Sequence, residues 1–354
     1  MKILNLIDIP WHSALAAYAF DQSSALADRG HKIYFAAPEN SASAAFARAK
    51  KFPLTLIPPR KNHLLLGAVL RLKKLIMDEN IDVINAHTGK AQTMAWLLSL
   101  VCAKPPALIR TKADAKHPSN SFALGKTAAI IAGSGVIKER YAAAGVDPSK
   151  VTVVYQGIAP RPEAPKEPSF PLKVGILGRL DPVKGHACFI EAAARVLGRI
   201  SSVEFLIAGR EEDIKYAALK ALAEKLGIAD SVNYLGHVAD PARFARSCDI
   251  GVITSLSSEA VSRAALDWLE AGRPLLATAV GSLPEFVAPG YLVPPQNPAM
   301  LAEALCSLLR SPGKRLEAGA ENRARALKDF SPARFAENTE AVFKAARPRQ
   351  KDAI

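Results

Sequence analysis

The segment GVITSLSSEAVSRAALDWLEAGRPLLATAVGSLPE, residues 251–285, sets two apolar strands around a helix. Gly251–Thr254 is a short buried strand, Ala264–Ala271 repeats apolar residues at helical spacing, and Pro274–Thr278 is a second buried strand. Gly272 and Pro274 stop the helix, because glycine accepts the left-handed cap and proline cannot continue the ladder. The order strand, loop, helix, strand is the repeating unit of an α/β domain. In open sheets of this kind ligands collect beyond the carboxyl ends of the strands, so Glu259 in the loop and Asp267 in the helix are expected to face a cleft. Glu259 could bind sugar hydroxyls or balance a developing positive charge, and Asp267 could accept from a ribose diol. Equally, Glu259 could be a solvated loop acid, and Asp267 could pair with Arg263 at four-residue spacing.

Outward from this segment the same grammar repeats. Lys173–Leu180 is a strand and turn, DPVKG (181–185) a loop and His186–Val196 a helix; Gly178 and Gly185 let backbone approach a ligand closely. Arg179 and Lys184 bracket that loop, and two fixed cations suit a diphosphate on which negative charge grows as a bond breaks. Val203–Gly209 is a strand ending in glycine, and Asn233–Asp240 a strand with a turn. In the first half, Met1–Ile9, Leu15–Ala27 and RGHKIYFAAP read β-α-β, and the intervening Pro10–Ala14 loop carries His12. Ile81–His87 is a buried strand ending in histidine, where ligands collect. Ala107–Asp114 is another strand, with Arg110 at its end, and Arg110 and Lys112 could hold an anionic acceptor. The proline-rich segment Ala159–Pro171 marks a linker, with domains over 1–160 and 161–330. Phe330–Ala346 reads as a last helix with Phe335, Val342 and Phe343 on one face.

With 354 residues, 49% of them hydrophobic and 22% charged, the chain is long enough for about two globular domains. Cys102, Cys188, Cys248 and Cys306 lie too far apart for a zinc or redox pair and suit buried thiols in a reducing compartment. MKILNLIDIP is too short and too acidic for a secretion signal. Met94–Ala103, the longest apolar run, falls short of the ~20 residues needed to span a bilayer. These features predict a cytoplasmic protein.

The net charge of +13 is unevenly placed. Residues 1–160 hold 20 Lys and Arg against 10 Asp and Glu, whereas the rest hold 26 against 23. That field favours an anionic partner. The stretch Leu56–Ile76, with Arg60, Lys61, Arg71, Lys73 and Lys74 around an apolar helix, could lie on an anionic bilayer or be an ordinary surface helix.

The two second-half motifs resemble those of retaining glycosyltransferases of the GT-B fold, family 4. The donor signature of that family is Glu, seven residues, Glu, then Gly-x-Pro, and its diphosphate loop is closely matched by GRLDPVKG (178–185). Glu259 takes the first acidic position and Asp267, one methylene shorter, the second; Glu270 is a possible substitute. The segment SSEAVSRAAL is similar to the bacterial lipopolysaccharide and surface-polysaccharide branch. The resemblance implies two Rossmann-like domains with parallel sheets facing across a cleft, and a C-terminal helix, 331–354 with its tail, returning to the first domain. It implies sugar transfer with retention from a nucleotide-sugar donor (UDP-, GDP- or ADP-sugar) to a glycan or lipid-linked acceptor, with no metal or other cofactor.

In that reading Arg179 and Lys184 stabilise the leaving diphosphate, Glu259 holds the donor sugar, and His87 orients it. Asp267, Gly178, Gly209, Ser262 and the backbone at Val238 complete the donor site, while His12, Arg110 and Lys112 face the acceptor. Peripheral contact with an anionic inner-membrane surface is a further implied partner. Two positions depart from the family: the first loop lacks its glycine pair, and Arg210 stands where a small or acidic residue is common. A sugar-nucleotide epimerase or hydrolase on the same fold is one alternative. A protein binding an anionic polymer is another, but no aromatic platform, zinc spacing or known module supports nucleic acid. A nicotinamide oxidoreductase is disfavoured because no GxGxxG follows the first strand.

Overall fold

The computed structural model describes residues 1–58, 65–118, 121–162, 170–257 and 259–347. Two compact units emerge, Met1–Gly157 with Pro332–Ile354, and Ile158–Ser331. The first contains β1 (Lys2–Leu6), α1 (Ala14–Asp28), β2 (Lys32–Ala37), α2 (Ala42–Ala49), β3 (Leu54–Leu56) and α3 (Leu65–Glu79). It continues through β4 (Val83–Ala86), α4 (Gly89–Val101), β5 (Ala107–Lys112), β6 (Ala129–Ala132), α5 (Gly135–Ala143) and β7 (Val151–Val153). All seven strands are parallel, in the order β3-β2-β1-β4-β5-β6-β7. Runs such as KIYFAA in β2, buried after their first residue, follow from helices covering both faces of a parallel sheet.

The second unit begins with β8 (Leu172–Leu177), α6 (His186–Leu197), β9 (Val203–Ala208), α7 (Tyr216–Lys225), β10 (Val232–Gly236) and α8 (Pro241–Ser247). It then runs through β11 (Ile250–Ile253), α9 (Arg263–Glu270), β12 (Leu275–Thr278), α10 (Leu283–Phe286), β13 (Leu292–Val293), α11 (Pro298–Arg310) and α12 (Pro312–Asp329). Its six strands are also parallel, in the order β10-β9-β8-β11-β12-β13. The chain winds outward from β8 in one direction and, after β11, in the other. That reversal opens a crevice at the carboxyl ends of β8 and β11, where loops diverge to opposite faces.

The last helix, α13 (Pro332–Ala346), belongs to the first unit, as the family resemblance implies and its apolar spacing permits. Phe335 meets the Tyr18 ring edge-on at 5.0 Å, and Phe335, Val342 and Phe343 are buried. Arg29 donates to the Glu340 carboxylate at 2.7 Å and 3.0 Å; Lys344 and Arg29 hold that carboxyl down at about 2. The units divide between Gly157 and Ile158, three residues before the position read from the sequence. There the Ile158 N–H donates to the Phe330 carbonyl, fastening the start of the second unit to its end. Of the proline-rich segment, residues 163–169 lie outside the described residues.

Candidate functional site

At the reversal of the second sheet, three loops that follow adjacent strands are hydrogen-bonded into one block. After β8, Asp181 accepts from the Val183 N–H (3.0 Å), and Pro182–Lys184 forms a single 3-10 turn. After β11, the Leu256 N–H donates to the Val183 carbonyl (2.8 Å), and the Thr254 hydroxyl to that of Lys184 (2.9 Å). Gly185 lies at φ 67°, and a Cβ there would run into the Thr254 carbonyl, so glycine is required on two counts. After β12, the Ser282 N–H donates to the Glu259 carbonyl (2.6 Å), and Thr278 Oγ1 to that of Ser255 (2.6 Å).

The block places a charge pair across the reversal. Lys184 Nζ from the β8 loop is ion-paired with Glu259 Oε1 from the β11 loop, and Ser255 Oγ donates to the same oxygen (2.6 Å). Glu259 is 5% exposed, whereas the Lys184 side chain retains 24% of its exposure. Arg179 stands on the other side of the same loop, half-exposed, donating to Glu212 at 2.7 Å. His186 opens α6 directly behind the loop, fully buried, and burial is the main reason its imidazole is pushed down to about 4. It is uncharged at neutral pH.

The donor-side candidates follow the carboxyl ends of β8, β9, β10 and β11. Gly178 and Gly209 directly follow β8 and β9 and lie against each other, so that a Cβ on Gly209 would overlap the Gly178 carbonyl. Gly209 N–H in turn donates to the Gly236 carbonyl, and Val238, half-buried between exposed neighbours, follows in the loop after β10. Ser262 caps α9, accepting from the Ala265 N–H (3.4 Å). Asp267 is buried on α9 and lies 3.8 Å from the Arg263 guanidinium.

Glu270 cannot replace Asp267. Its carboxylate, 1% exposed, takes Arg246 at 2.6 Å and 2.8 Å, Arg323, and the Arg161 backbone N–H at 2.8 Å. Two guanidiniums already satisfy it.

The first-unit candidates sit differently from their sequence reading. His87 is fully buried beyond β4, its Nε2 3.0 Å from Asn5 Oδ1, in a network with Asn85, Gln22, Ser23 and Thr111. Burial, then the Arg110 charge, pushes its imidazole down to about 3. Arg110 is not at the end of its strand but within β5, buried, donating to the Ala86 (2.8 Å) and Thr111 (2.9 Å) carbonyls. Lys112 is likewise buried and paired with Asp114; desolvation lowers its pKa against that partner. Both were expected to be open cations for an acceptor, and both are engaged within the first unit instead. His12 remains an exposed loop side chain, its ring 6.1 Å from that of Phe20.

Residues 15–161 match the model described as Glycosyltransferase Family 4, and residues 171–311 the one described as Glycosyl transferases group 1. Each covers most of one unit, and together they account for most of the chain. The chain belongs to the family 4, group 1 glycosyltransferases. The D-inositol 3-phosphate glycosyltransferase of Segniliparus rotundus is 28% identical over 67% of this chain and 56% of its own length. The chain spans about half the length of the first curated relatives it matches. Among solved structures, Anabaena HepE in complex with UDP and glucose superposes with a TM-score of 0.81 at 19% identity, covering 98% of this chain and all of that one. The lipopolysaccharide outer core galactosyltransferase WaaB, in its apo form, gives 0.76 at 15%, covering 98% and 99%. These likenesses show the fold, and with it the expected pair of Rossmann-like GT-B domains.

The glycosyltransferase signature did not point to the groups that hold Glu259. Ser255 and Thr278 are small polar residues without a motif of their own, and Gly281 reads as an ordinary turn glycine. Gly281 is at φ 55°, and a Cβ there would collide with the Glu259 backbone, so the β12 loop can close on the acid only through glycine. A glycine after the second strand of the quoted segment was the available signal. Among the described residues, no group of three or more His, Cys, Asp or Glu side chains is placed to hold a metal ion.

Proposed function

We propose that this chain is a retaining glycosyltransferase that moves a sugar from a nucleotide-sugar donor to a glycan or lipid-linked acceptor in lipopolysaccharide core or surface-polysaccharide synthesis. The observation that carries the donor half is the Lys184–Glu259 pair across the sheet reversal, with Arg179 on the same loop. A diphosphate seated there would meet two cations and the N-terminus of α6, which favours an anion. As the bond to the sugar breaks, Lys184 and Arg179 would take up the growing phosphate charge, the role a divalent ion has elsewhere. Glu259, held by Ser255 and Lys184, would present its remaining capacity to the sugar, and Asp267 would accept from the ribose. Retention follows in this reading from attack on the donor's own leaving-group face. Arg110 and Lys112, engaged within the first unit, are given no role in it.

The test is a thermal-shift screen of UDP, GDP, ADP and their sugars without added metal, repeated with Arg179→Ala. Stabilisation of several degrees by one nucleoside diphosphate family, absent in the variant, is the expected result. No shift with any of them would defeat the proposal.

The acceptor half is supported by a surface on the first unit. Helices α3 and α4 bury Ala68, Val69, Leu72 and Ile76 together with Met94, Ala95 and Leu98 in one core. Their outer sides leave Leu66, Leu70, Met77, Leu100 and Val101 exposed, and Phe122, edge-on to Trp96 at 5.0 Å, is 69% exposed. Arg71, Lys74, Lys90 and Lys104 are exposed on or beside the same helices. Arg60 and Lys61, also expected here, lie outside the described residues. Exposed apolar groups among cations suit the cytoplasmic face of an anionic bilayer, each base contributing about 1 kcal/mol. No described helix is long and apolar enough to cross a membrane. Replacing Lys73 and Lys74 by Glu should weaken co-sedimentation with vesicles containing anionic lipid by at least ~10-fold; unchanged binding would remove the membrane contact.

A further inference from the structure

The loop that carries Arg179 is fastened to the segment following β9. Leu180 N–H donates to the Arg210 carbonyl and Ile214 N–H to the Leu180 carbonyl, each at 2.9 Å, extending the β8–β9 pairing past the strands. This fixes Glu212 beside Arg179, at 2.7 Å, with Asp181 at 3.5 Å from the same guanidinium. Arg210, the residue that departs from the family pattern, reaches Glu212 as well, at 3.6 Å. One carboxylate is therefore shared by two arginines, one of them a proposed diphosphate ligand.

We infer that Glu212 is an internal competitor for Arg179, which sets the affinity for the donor's diphosphate; this rests on the donor site proposed above. The Glu212 carboxylate holds Arg179 Nη1, one of the two guanidinium nitrogens that a pair of phosphate oxygens would take, while Asp181 stands 3.5 Å from Nη2. When a diphosphate arrives, Arg179 exchanges partners. Arg210 keeps Glu212 neutralised after the exchange, so no charge is stranded. Because Arg179 is about half exposed, the competition is modest, on the order of 2- to 5-fold in affinity.

The test is calorimetric binding of inorganic pyrophosphate and of the nucleoside diphosphate selected by the screen, at low ionic strength. Glu212→Gln keeps the shape and removes the charge, and it should tighten both ligands ~2- to 5-fold. The gain should vanish in the Arg179→Ala background. Glu211→Gln, which removes the same charge from a neighbour engaged with Lys215 and the Tyr216 N–H, should give a smaller gain. Unchanged or weaker binding in Glu212→Gln, a gain that persists without Arg179, or an equal gain from Glu211→Gln would overturn the inference. If the unaltered chain binds a nucleoside diphosphate through Arg179 and Glu212→Gln changes nothing, only this inference falls. If no nucleoside diphosphate binds either chain, the donor site falls with it.

Discussion

Lys184→Ala should slow sugar transfer by ~100-fold or more, with most of the loss in kcat. The ammonium is anchored by Glu259 and is still partly open to solvent, so it is oriented without being sealed away. An interaction that strengthens as charge builds on the departing phosphate lowers the barrier more than it tightens binding, and removing one such donor typically forfeits about 3 kcal/mol. Alanine also leaves the 5%-exposed Glu259 carboxylate with the Ser255 hydroxyl as its remaining side-chain partner among the described residues, so some stability will be lost. The double variant Lys184→Met with Glu259→Gln separates the two effects: it restores thermal stability and leaves turnover low. Steady-state kinetics beside a melting curve reads both, and near-normal turnover in Lys184→Ala would remove this residue from the chemistry.

Glu270→Ala should destabilise the second unit by about 3–5 kcal/mol without touching the donor loops. The Glu270 carboxylate is almost wholly enclosed and joins four parts of the chain. Arg246 comes from α8, Arg323 from α12, Glu270 itself from α9, and the Arg161 N–H from the segment that opens the unit. Arg161 extends the cluster by donating to both oxygens of Asp240 at 2.6 Å. Truncation would leave two guanidiniums in a poorly solvated place, and that penalty is larger than the worth of the pair itself. Urea unfolding of the two chains measures the difference. A loss below about 1 kcal/mol would mean that water or Asp240 takes over both arginines.

Glu270 also shows where a motif stops being informative. In the sequence it is an acid three residues past Asp267, and spacing along a helix permits either to serve a ligand. What separates them is the presence of Arg246 and Arg323, which arrive from helices 24 and 53 residues away. The same limit applies to Arg110, which the pattern set at a strand end open to a ligand. Its guanidinium turns back to the Ala86 carbonyl of the neighbouring strand, 24 residues earlier. A cation in a run of apolar residues gives no sign of which backbone oxygen will receive it.

What the amino-acid sequence by itself determined was the local and periodic part. Buried runs set the strands, glycine and proline set the helix stops, and the spacing of Arg179, Lys184 and Glu259 marked the edge of the second sheet. These depend on neighbours within a turn or a strand, so they are written in the order of residues. Only the tertiary structure decided which charges are paired. Lys184 with Glu259, Arg179 with Glu212, and Glu270 with its arginines all join segments 24 to 75 residues apart. The two loop pairs form because a parallel sheet brings the carboxyl ends of distant strands side by side, and the Glu270 cluster forms because α8, α9 and α12 pack together outside that sheet.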